Sequence, residues 1–483
     1  MKIIRFCFAW WNPRAPIYFV YMLQQVEYRA KPFLAWVVSL MRQKLSLPQV
    51  MTRQKLVMTL RAKSMVALGY GTALIWIGLV GTLAVLTTSV GSLLWVLVVG
   101  VLTYPLALLV LYASIATVMN ITVVGPHEKR LMQLSRDTLA SHSATRIVIA
   151  GSYGKTTMKE LLVAVLAKKF KVAATPGNGN TPSAHAKFIQ KLHGDEEILI
   201  FELGEGKPGD VLQFAQTLRP DFAIITGLAP NHLDQYKTID ALAEDILSLR
   251  KFVEPGKLFA AGDSALLLDH LEKDDIVFGE KGGPDWQNSD IHITATTTTF
   301  RLHAGENSIP ITSSLLGRHQ VGPLGFVVAY ALAMGVDAED VRQAIENIAP
   351  YEHRMQPYQL GGATIIDDTY NGNAEGIMAG LALLAEIDAA RKVYVTPGLV
   401  DQGAETESVH RAIAAKIAET KPDWLVLMQN SATDIIRDEL KKLGYGGHTT
   451  VEQVPLEFYR NLDQFVKAGD VVLMQNDWTD NYR

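Results

Sequence analysis

The sequence predicts an α/β protein built from two open-sheet units, with an α-helical transmembrane hairpin ahead of them. Thr145 to Thr157 reads as a strand, a glycine-containing loop and the start of a helix. Apolar strand-like runs then alternate with helical stretches through most of the remaining chain. Finally, no Asp, Glu, Lys or Arg occurs from Ser64 to His127. Uncharged stretches of that length are rare outside membranes.

The 483 residues suffice for two or three domains with full cores. Cys7 is the single cysteine, so no intrachain disulfide can form, which suits a reducing compartment for the bulk of the chain. The formal charge of −4 hides an asymmetry: residues 1–64 carry eleven basic side chains against Glu27 alone, a net +10, which leaves −14 for the rest. Interleaved with Trp10, Trp11, Tyr18, Tyr21, Phe33 and Trp36, this basic segment suits an anionic lipid surface better than nucleic acid. Within it, Ile3 to Trp11 and Ile17 to Leu23 are too short to span a bilayer and read as interfacial helices rather than a cleaved leader.

Two apolar blocks follow, Met65 to Leu86 and Leu93 to Val118, around the polar turn Thr87 to Ser92. Each exceeds the roughly 20 residues needed to cross about 30 Å of hydrocarbon. Gly69, Gly71, Gly78 and Gly81 are placed for close helix contact, and Pro105 for a kink. Arg61 and Lys63 flank one outer end, Lys129 and Arg130 the other, and the turn holds no basic residue. Both ends are therefore expected on the cytoplasmic side of a cytoplasmic membrane crossed twice.

A linker helix from Glu128 to Ser141 leads to the loop. Ile147 to Ala150 forms a buried strand, Gly151 and Gly154 permit a sharp turn, and Met158 to Lys168 has helical spacing. Such a loop turns backbone N–H groups and a helix N-terminus toward an anion. Lys155 is assigned to outer phosphates and the Thr156 hydroxyl to Mg²⁺. The longer nucleotide-loop pattern would require glycine where Ile149 stands, so the form present is Gly-x-x-Gly-Lys-Thr-Thr, which an ordinary turn before a surface helix can share.

Strands are then expected at Lys171 to Ala174, Ile198 to Leu203 and Phe222 to Gly227, with helices at Asp210 to Leu218 and Ile239 to Phe252. The Thr-rich stretch Ile291 to Leu302 reads as an inserted β-ribbon and Val321 to Met334 as an apolar helix. A second unit begins near Tyr351, with strands at Thr364 to Ile366, Lys392 to Thr396, Trp424 to Met428 and Val471 to Met474. The expected division is 1–64, 65–118, 119–144, 145–350 and 351–483. Glu202 and His232 each follow an apolar strand, where open α/β sheets bind ligands, within reach of a metal beside Thr156.

Seven motifs stand in one order: Gly151-Ser-Tyr-Gly-Lys-Thr-Thr157, Thr175-Pro-Gly-Asn-Gly-Asn180, Glu202-Leu-Gly204, Asn231-His-Leu233, Gly317-Arg-His319, His353-Arg354 and Asp367-Asp-Thr-Tyr-Asn-Gly-Asn373. With them the chain from about Glu128 onward resembles the Mur ligases, most closely those adding D-alanyl-D-alanine to a UDP-muramoyl peptide. The resemblance implies a central ATPase domain, a C-terminal Rossmann-like domain, ATP and Mg²⁺. It also implies a reaction of cell-wall (peptidoglycan) precursor synthesis. A muramoyl-peptide carboxylate is phosphorylated, and the amine of an amino acid or of D-alanyl-D-alanine displaces the phosphate. On this resemblance Gly151, Gly154, Lys155, Thr156 and Thr157 surround the phosphates; Thr156, Glu202 and His232 hold Mg²⁺; His319, Arg354, Asp368 and Asn371 reach the nucleotide.

Departures from the family bear on specificity. Its carbamylated lysine is matched near Asp245, which reads either as a built-in carboxylate replacement with a catalytic role or as part of a solvated helix face. Gln320 and Pro323 stand where the adenine-side motif has asparagines, and Gln475-Asn-Asp-Trp478 replaces a basic C-terminal stretch. The membrane hairpin occupies the place of the UDP-binding domain. The acceptor is therefore expected to be either a UDP-linked or a lipid-linked muramoyl peptide, or another carboxylate. A catalytically degenerate membrane scaffold is the rival of a different class.

Overall fold

A computed structural model describes residues 10–26, 28–42, 56–87, 89–177, 179–230, 233–370, 372–399 and 405–476. The chain divides into two compact units, the first within Met1–Lys129 and the second within Arg130–Trp478.

In the first unit, helices Leu60–Val85 and Val90–Met119 form the hairpin. Thr59 and Ser89 begin them as N-caps, each side chain accepting from a backbone N–H three residues on, at 3.1 and 3.2 Å. Both helices are long and apolar enough to cross a membrane.

The N-terminal helices Ala15–Gln25 and Ala30–Arg42 depart from expectation. They pack on the hairpin, burying Phe19, Met22, Leu23, Phe33 and Leu40 in one cluster with Ala62, Met65, Leu108, Tyr112 and Ala116. Phe19 stacks on Tyr112 with ring centroids 5.7 Å apart, and the Tyr112 hydroxyl donates to the Met65 carbonyl at 3.1 Å. Of the aromatic residues expected to meet lipid, Trp10, Tyr21 and Phe33 are buried in this core, whereas Trp11 stays 47 % exposed. Residues 3–9 of the predicted first interfacial stretch lie outside the described residues.

The glycine expectation is corrected as well. At Gly69 an added Cβ would lie 2.7 Å from Pro16 Cβ, so this position does allow close approach, but at Gly71, Gly78 and Gly81 it would meet open space. The hairpin closes instead at Gly100, where an added Cβ would lie 2.5 Å from Val80, and whose carbonyl accepts from Trp76 Nε1 at 2.8 Å.

The second unit holds three sheets. The first contains β1 (Thr145–Ala150), β2 (Val172–Ala174), β3 (Ile198–Glu202), β4 (Phe222–Ile225), β5 (Leu258–Ala261) and β6 (Ile276–Phe278). They are all parallel, in the order β2-β3-β1-β4-β5-β6. Near-continuous apolar strands suit burial on both faces. The helix Lys155–Leu166 covers one face through Met158, Leu161, Leu162 and Val165; Asp210–Leu218 and Ile239–Leu247 help cover the other.

The predicted ribbon proves to be part of a larger antiparallel sheet, β7 (Gly282–Gly283), β8 (Trp286–Ile293), β9 (Thr298–Ala304) and β10 (Asn307–Ser313). It packs with the helix Val321–Ala333, whose apolar character all round matches its burial.

The third sheet contains β11 (Gln356–Leu360), β12 (Ala363–Asp368), β13 (Arg391–Thr396), β14 (Trp424–Met428), β15 (His448–Glu452) and β16 (Asp470–Gln475), in the order β11-β12-β16-β13-β14-β15. Only β11 runs antiparallel within it.

Chain order reverses around β1, which lies between β3 and β4, so the loop after β1 opens into the crevice at a topological switch point. Gly151 begins that loop at φ +133, and an added Cβ would lie 2.5 Å from Thr226 Oγ1 and 2.9 Å from the Gly227 carbonyl. Gly151→Ala is therefore expected to destabilise the protein by about 2–4 kcal/mol, measurable as an earlier denaturant midpoint by tryptophan fluorescence.

Candidate active site

The loop is pinned by hydrogen bonds to the chain after β4. Ser152 N donates to the Gly227 carbonyl at 2.9 Å, Thr226 N to the Ala150 carbonyl at 3.0 Å, and the Ser152 hydroxyl to the Ala229 carbonyl at 3.2 Å. Gly154, at φ +75, turns the chain into the helix Lys155–Leu166, whose N-terminus faces the cleft.

Parallel register places Glu202 beside Ile149, one strand over from the loop. The Glu202 side chain is only 2 % exposed; its two carboxylate oxygens accept from Thr156 Oγ1 at 3.0 and 3.2 Å, and one accepts from Lys159 Nζ at 3.3 Å. Lys159 is fully buried and also donates to the Gly177 carbonyl. A charged pair at this depth survives only with its remaining hydrogen-bonding capacity met, and here the loop carbonyl contributes to that.

The Glu202 main chain is held too. Its N–H donates to Thr175 Oγ1 at 3.1 Å, and His185 Nε2 donates to its carbonyl at 2.8 Å. Burial beside Phe201 and Phe214 pushes the His185 pKa down to about 4, so the ring is neutral near pH 7.

A second pair lies beside the first. Lys155 Nζ donates to both oxygens of Glu205, at 2.8 and 3.0 Å, and to the Gly151 carbonyl. Lys155 and Glu205 are 12 and 5 % exposed.

From the third sheet come Arg354, Asp368 and Tyr370, which line the same cleft of about 350 Å³ with Gly154, Lys155, Thr156, Thr157, Glu202 and His319. Arg354 sits between two non-glycine residues in the left-handed region, His353 at φ 59 and Met355 at φ 45, and its guanidinium lies 5.2 Å from the Tyr370 ring. His353 Nδ1 is 2.7 Å from the Asp367 carboxylate, which raises the imidazole pKa. The Asp368 carboxylate accepts from Gln475 Nε2 at 2.8 Å and Met355 N at 3.2 Å. Burial nevertheless raises its pKa to about 6. His319 Nε2 accepts from the Gln320 side-chain amide at 2.9 Å.

The structure therefore gathers Gly154, Lys155, Thr156, Thr157, Glu202, His319, Arg354 and Asp368 in one cleft, while Gly151 begins the loop without lining it. His232 and Asn371 lie outside the described residues. Asp245 is a correction. Its carboxylate does not line the cleft but sits at the N-terminus of the helix Asp210–Leu218, accepting from Val211 N at 3.4 Å and Leu212 N at 3.3 Å, and from the Tyr236 hydroxyl at 2.7 Å. It caps that helix and is 8 % exposed, so it is not part of a solvated face. Sequence reading missed Lys159, Glu205 and His185, and singled out Gln475 only as part of a departure from the family's C-terminal stretch. Only Glu205, three residues past the strand-closing Glu202, carried a local signal.

The donor set beside Thr156 consists of oxygens, as Mg²⁺ prefers. Among the described residues no three His, Cys, Asp or Glu side chains gather into a metal cage. A cation held by Thr156 and Glu202 would complete its shell with water and substrate phosphates, which is usual for Mg²⁺.

Two substitutions separate structural from binding roles. Asp245→Ala is expected to lower stability by about 1–3 kcal/mol through the lost cap and the orphaned Tyr236 hydroxyl, while nucleotide affinity of the folded protein, measured by titration calorimetry, stays unchanged. For Asp368 the folded pKa is raised, so from about pH 4 to 6 the folded state holds the proton longer than the unfolded state and this group's contribution to stability falls as pH rises. Asp368→Asn is expected to raise the melting temperature at pH 7–8, to lose that advantage near pH 4, and to weaken nucleotide binding.

Comparison with known proteins adds to this geometry. Residues 149–330 match the Mur ligase middle domain, and residues 353–475 match the domain described as Mur ligase, glutamate ligase domain. A UDP-N-acetylmuramoyl-tripeptide–D-alanyl-D-alanine ligase of Treponema pallidum is 29 % identical over 336 residues, covering 68 % of this chain and 71 % of its own. The enzyme of the same name from Bacillus subtilis is 26 % identical, covering 64 and 71 %. Among solved structures, MurF from Acinetobacter baumannii superposes with a TM-score of 0.63 at 22 % identity, covering 72 % of this chain and 77 % of that one. MurF from Thermotoga maritima in complex with ADP gives 0.62 at 23 %, covering 73 and 80 %. At these identities the structural likeness establishes the fold.

Proposed function

Because the chain belongs to the Mur ligase family, whose members are ATP-dependent amide-forming ligases, we propose that it joins D-alanyl-D-alanine to a UDP-muramoyl tripeptide. The observation that carries this reading is the single cleft in which Lys155, Thr156 and Glu202 from the first sheet meet Arg354 and Asp368 from the third.

In this reading Lys155 and the helix N-terminus after Gly154 neutralise the outer phosphates of ATP, and Arg354 approaches them from the other domain. Thr156 and Glu202 would hold Mg²⁺, which when bound supplies charge neutralisation at the phosphates. The substrate carboxylate attacks the γ-phosphorus and ADP leaves. The incoming amine then attacks the acyl carbon, losing a proton as inorganic phosphate departs. Phosphoryl transfer asks mainly for positioning and charge compensation, which these side chains are suited to give. Asp368 accepts hydrogen bonds from the nucleotide, with His319 nearby. His232 and Asn371 keep the roles that the family resemblance gives them. We assign the ligase to residues 145–350 and 351–483, so that catalysis includes domain closure.

We further assign the hairpin a membrane-anchoring role, with both ligase domains on the cytoplasmic side. Its support is two helices of sufficient length and apolarity, basic residues at both outer ends and none in the turn. An anchored enzyme has access to lipid-linked as well as UDP-linked muramoyl peptides, and a direct comparison separates them.

Detergent-purified protein is expected to release phosphate from ATP in a Mg²⁺-dependent manner when UDP-muramoyl tripeptide and D-alanyl-D-alanine are both supplied. Lys155→Ala should lower that rate at least about 100-fold. Stimulation by the lipid-linked acceptor alone would reassign the substrate, and no release above the Lys155→Ala background with either would favour a scaffold.

A further inference from the structure

The two lysine–glutamate pairs of the cleft differ in what a nucleotide would do to them. The Lys159–Glu202 pair can stay closed, because Lys159 is fully buried and has Gly177 as a second partner. The Lys155–Glu205 pair cannot. An ammonium has three N–H donors and no acceptor. Lys155 has committed them to the Gly151 carbonyl and to the two oxygens of Glu205, at 2.8 and 3.0 Å. The carboxylate therefore competes with a phosphate for Lys155.

We propose that Glu205 is a resident counter-ion of the phosphate site. It positions Lys155 while the site is empty, competes with the outer phosphates for it, and thereby makes nucleotide binding depend on an accompanying divalent cation. This rests on the reading that the cleft binds ATP. Once Lys155 turns to phosphate, the Glu205 carboxylate, 5 % exposed, is left beside like charge with its cation withdrawn. A buried carboxylate in that position is costly unless another positive charge arrives with the ligand. ATP carrying Mg²⁺ brings that charge and free ATP does not. Lys159 cannot relieve the imbalance, since it already faces two carboxylates, Glu202 and Glu160, each at 3.3 Å. Glu205 thus acts through Lys155 as a positioning residue that selects the metal-complexed form of the nucleotide.

The test is equilibrium binding of ATP and AMP to the detergent-purified full chain by titration calorimetry, in EDTA and in saturating Mg²⁺. Glu205→Gln keeps the shape and removes the competing charge. It is expected to bind free ATP about 5- to 30-fold tighter than wild type, with the difference narrowing to about 2-fold or less in Mg²⁺ and AMP affinity unchanged. A salt bridge serving only to hold the loop in shape predicts the opposite: weaker ATP binding in both conditions. Equal or weaker binding of free ATP by Glu205→Gln overturns the proposal. If that variant gives no cooperative melt, Glu205→Asp carries the test. It keeps the charge but draws it back by one methylene, and should tighten free ATP by a smaller factor; no tightening overturns the proposal equally. Wild-type protein that binds no ATP in either condition would instead overturn the nucleotide reading itself, as would Lys155→Ala binding Mg²⁺–ATP as wild type does.

Discussion

Glu202 is a carboxylate withdrawn almost completely from water, and much of the second unit is arranged around keeping it paired. The parallel register of β1 and β3 sets it level with the base of the loop. Thr156 and Lys159, both on the helix after the loop, supply its donors, while Thr175 and His185 fix its backbone. Removing one partner of a buried ion pair typically costs about 3–5 kcal/mol. The side chain that would hold a cation is thus also one on which the seating of strand, loop and helix depends. Binding and stability share atoms here.

Much of this was legible in the chain itself. Strand, glycine loop and helix follow from local pattern, and the ordered motifs led to Lys155, Thr156, Glu202, His319, Arg354 and Asp368, which the structure brings to one cleft. What escaped depends on non-local packing. Lys159 on an amphipathic helix reads as solvated, and its burial is set by where the chain near Gly177 comes to rest. Asp245 could be counted onto a helix, yet which way that helix faces is decided by its packing against Asp210–Leu218. Short strands such as β5, β6 and β15 carried too few residues to display a period.

The N-terminal unit shows the same limit. Length and apolarity define the two long helices without ambiguity, but nothing in a glycine's sequence position says which face meets a neighbour. Gly69 and Gly100 do, while Gly71, Gly78 and Gly81 do not. Likewise, an aromatic-rich basic segment describes a lipid interface and a small helical core equally well. The packing of Phe19, Phe33 and Trp10 with Tyr112 chooses the core.

The strand order of the third sheet carries a consequence for how the protein is made. β16, the last in sequence, lies between β12 and β13, the two central neighbours that would otherwise face one another. During synthesis those strands emerge with one edge each unpaired, and the sheet cannot close until residue 475 has left the ribosome. At about 5–20 residues per second, the roughly 80 residues from the end of β13 to the end of β16 keep that sheet open for about 4–16 seconds, well after the apolar hairpin has been made. On the anchoring role proposed for the hairpin, attachment of translating ribosomes at the bilayer would hold neighbouring unfinished copies apart through the interval in which their exposed edges could pair with one another.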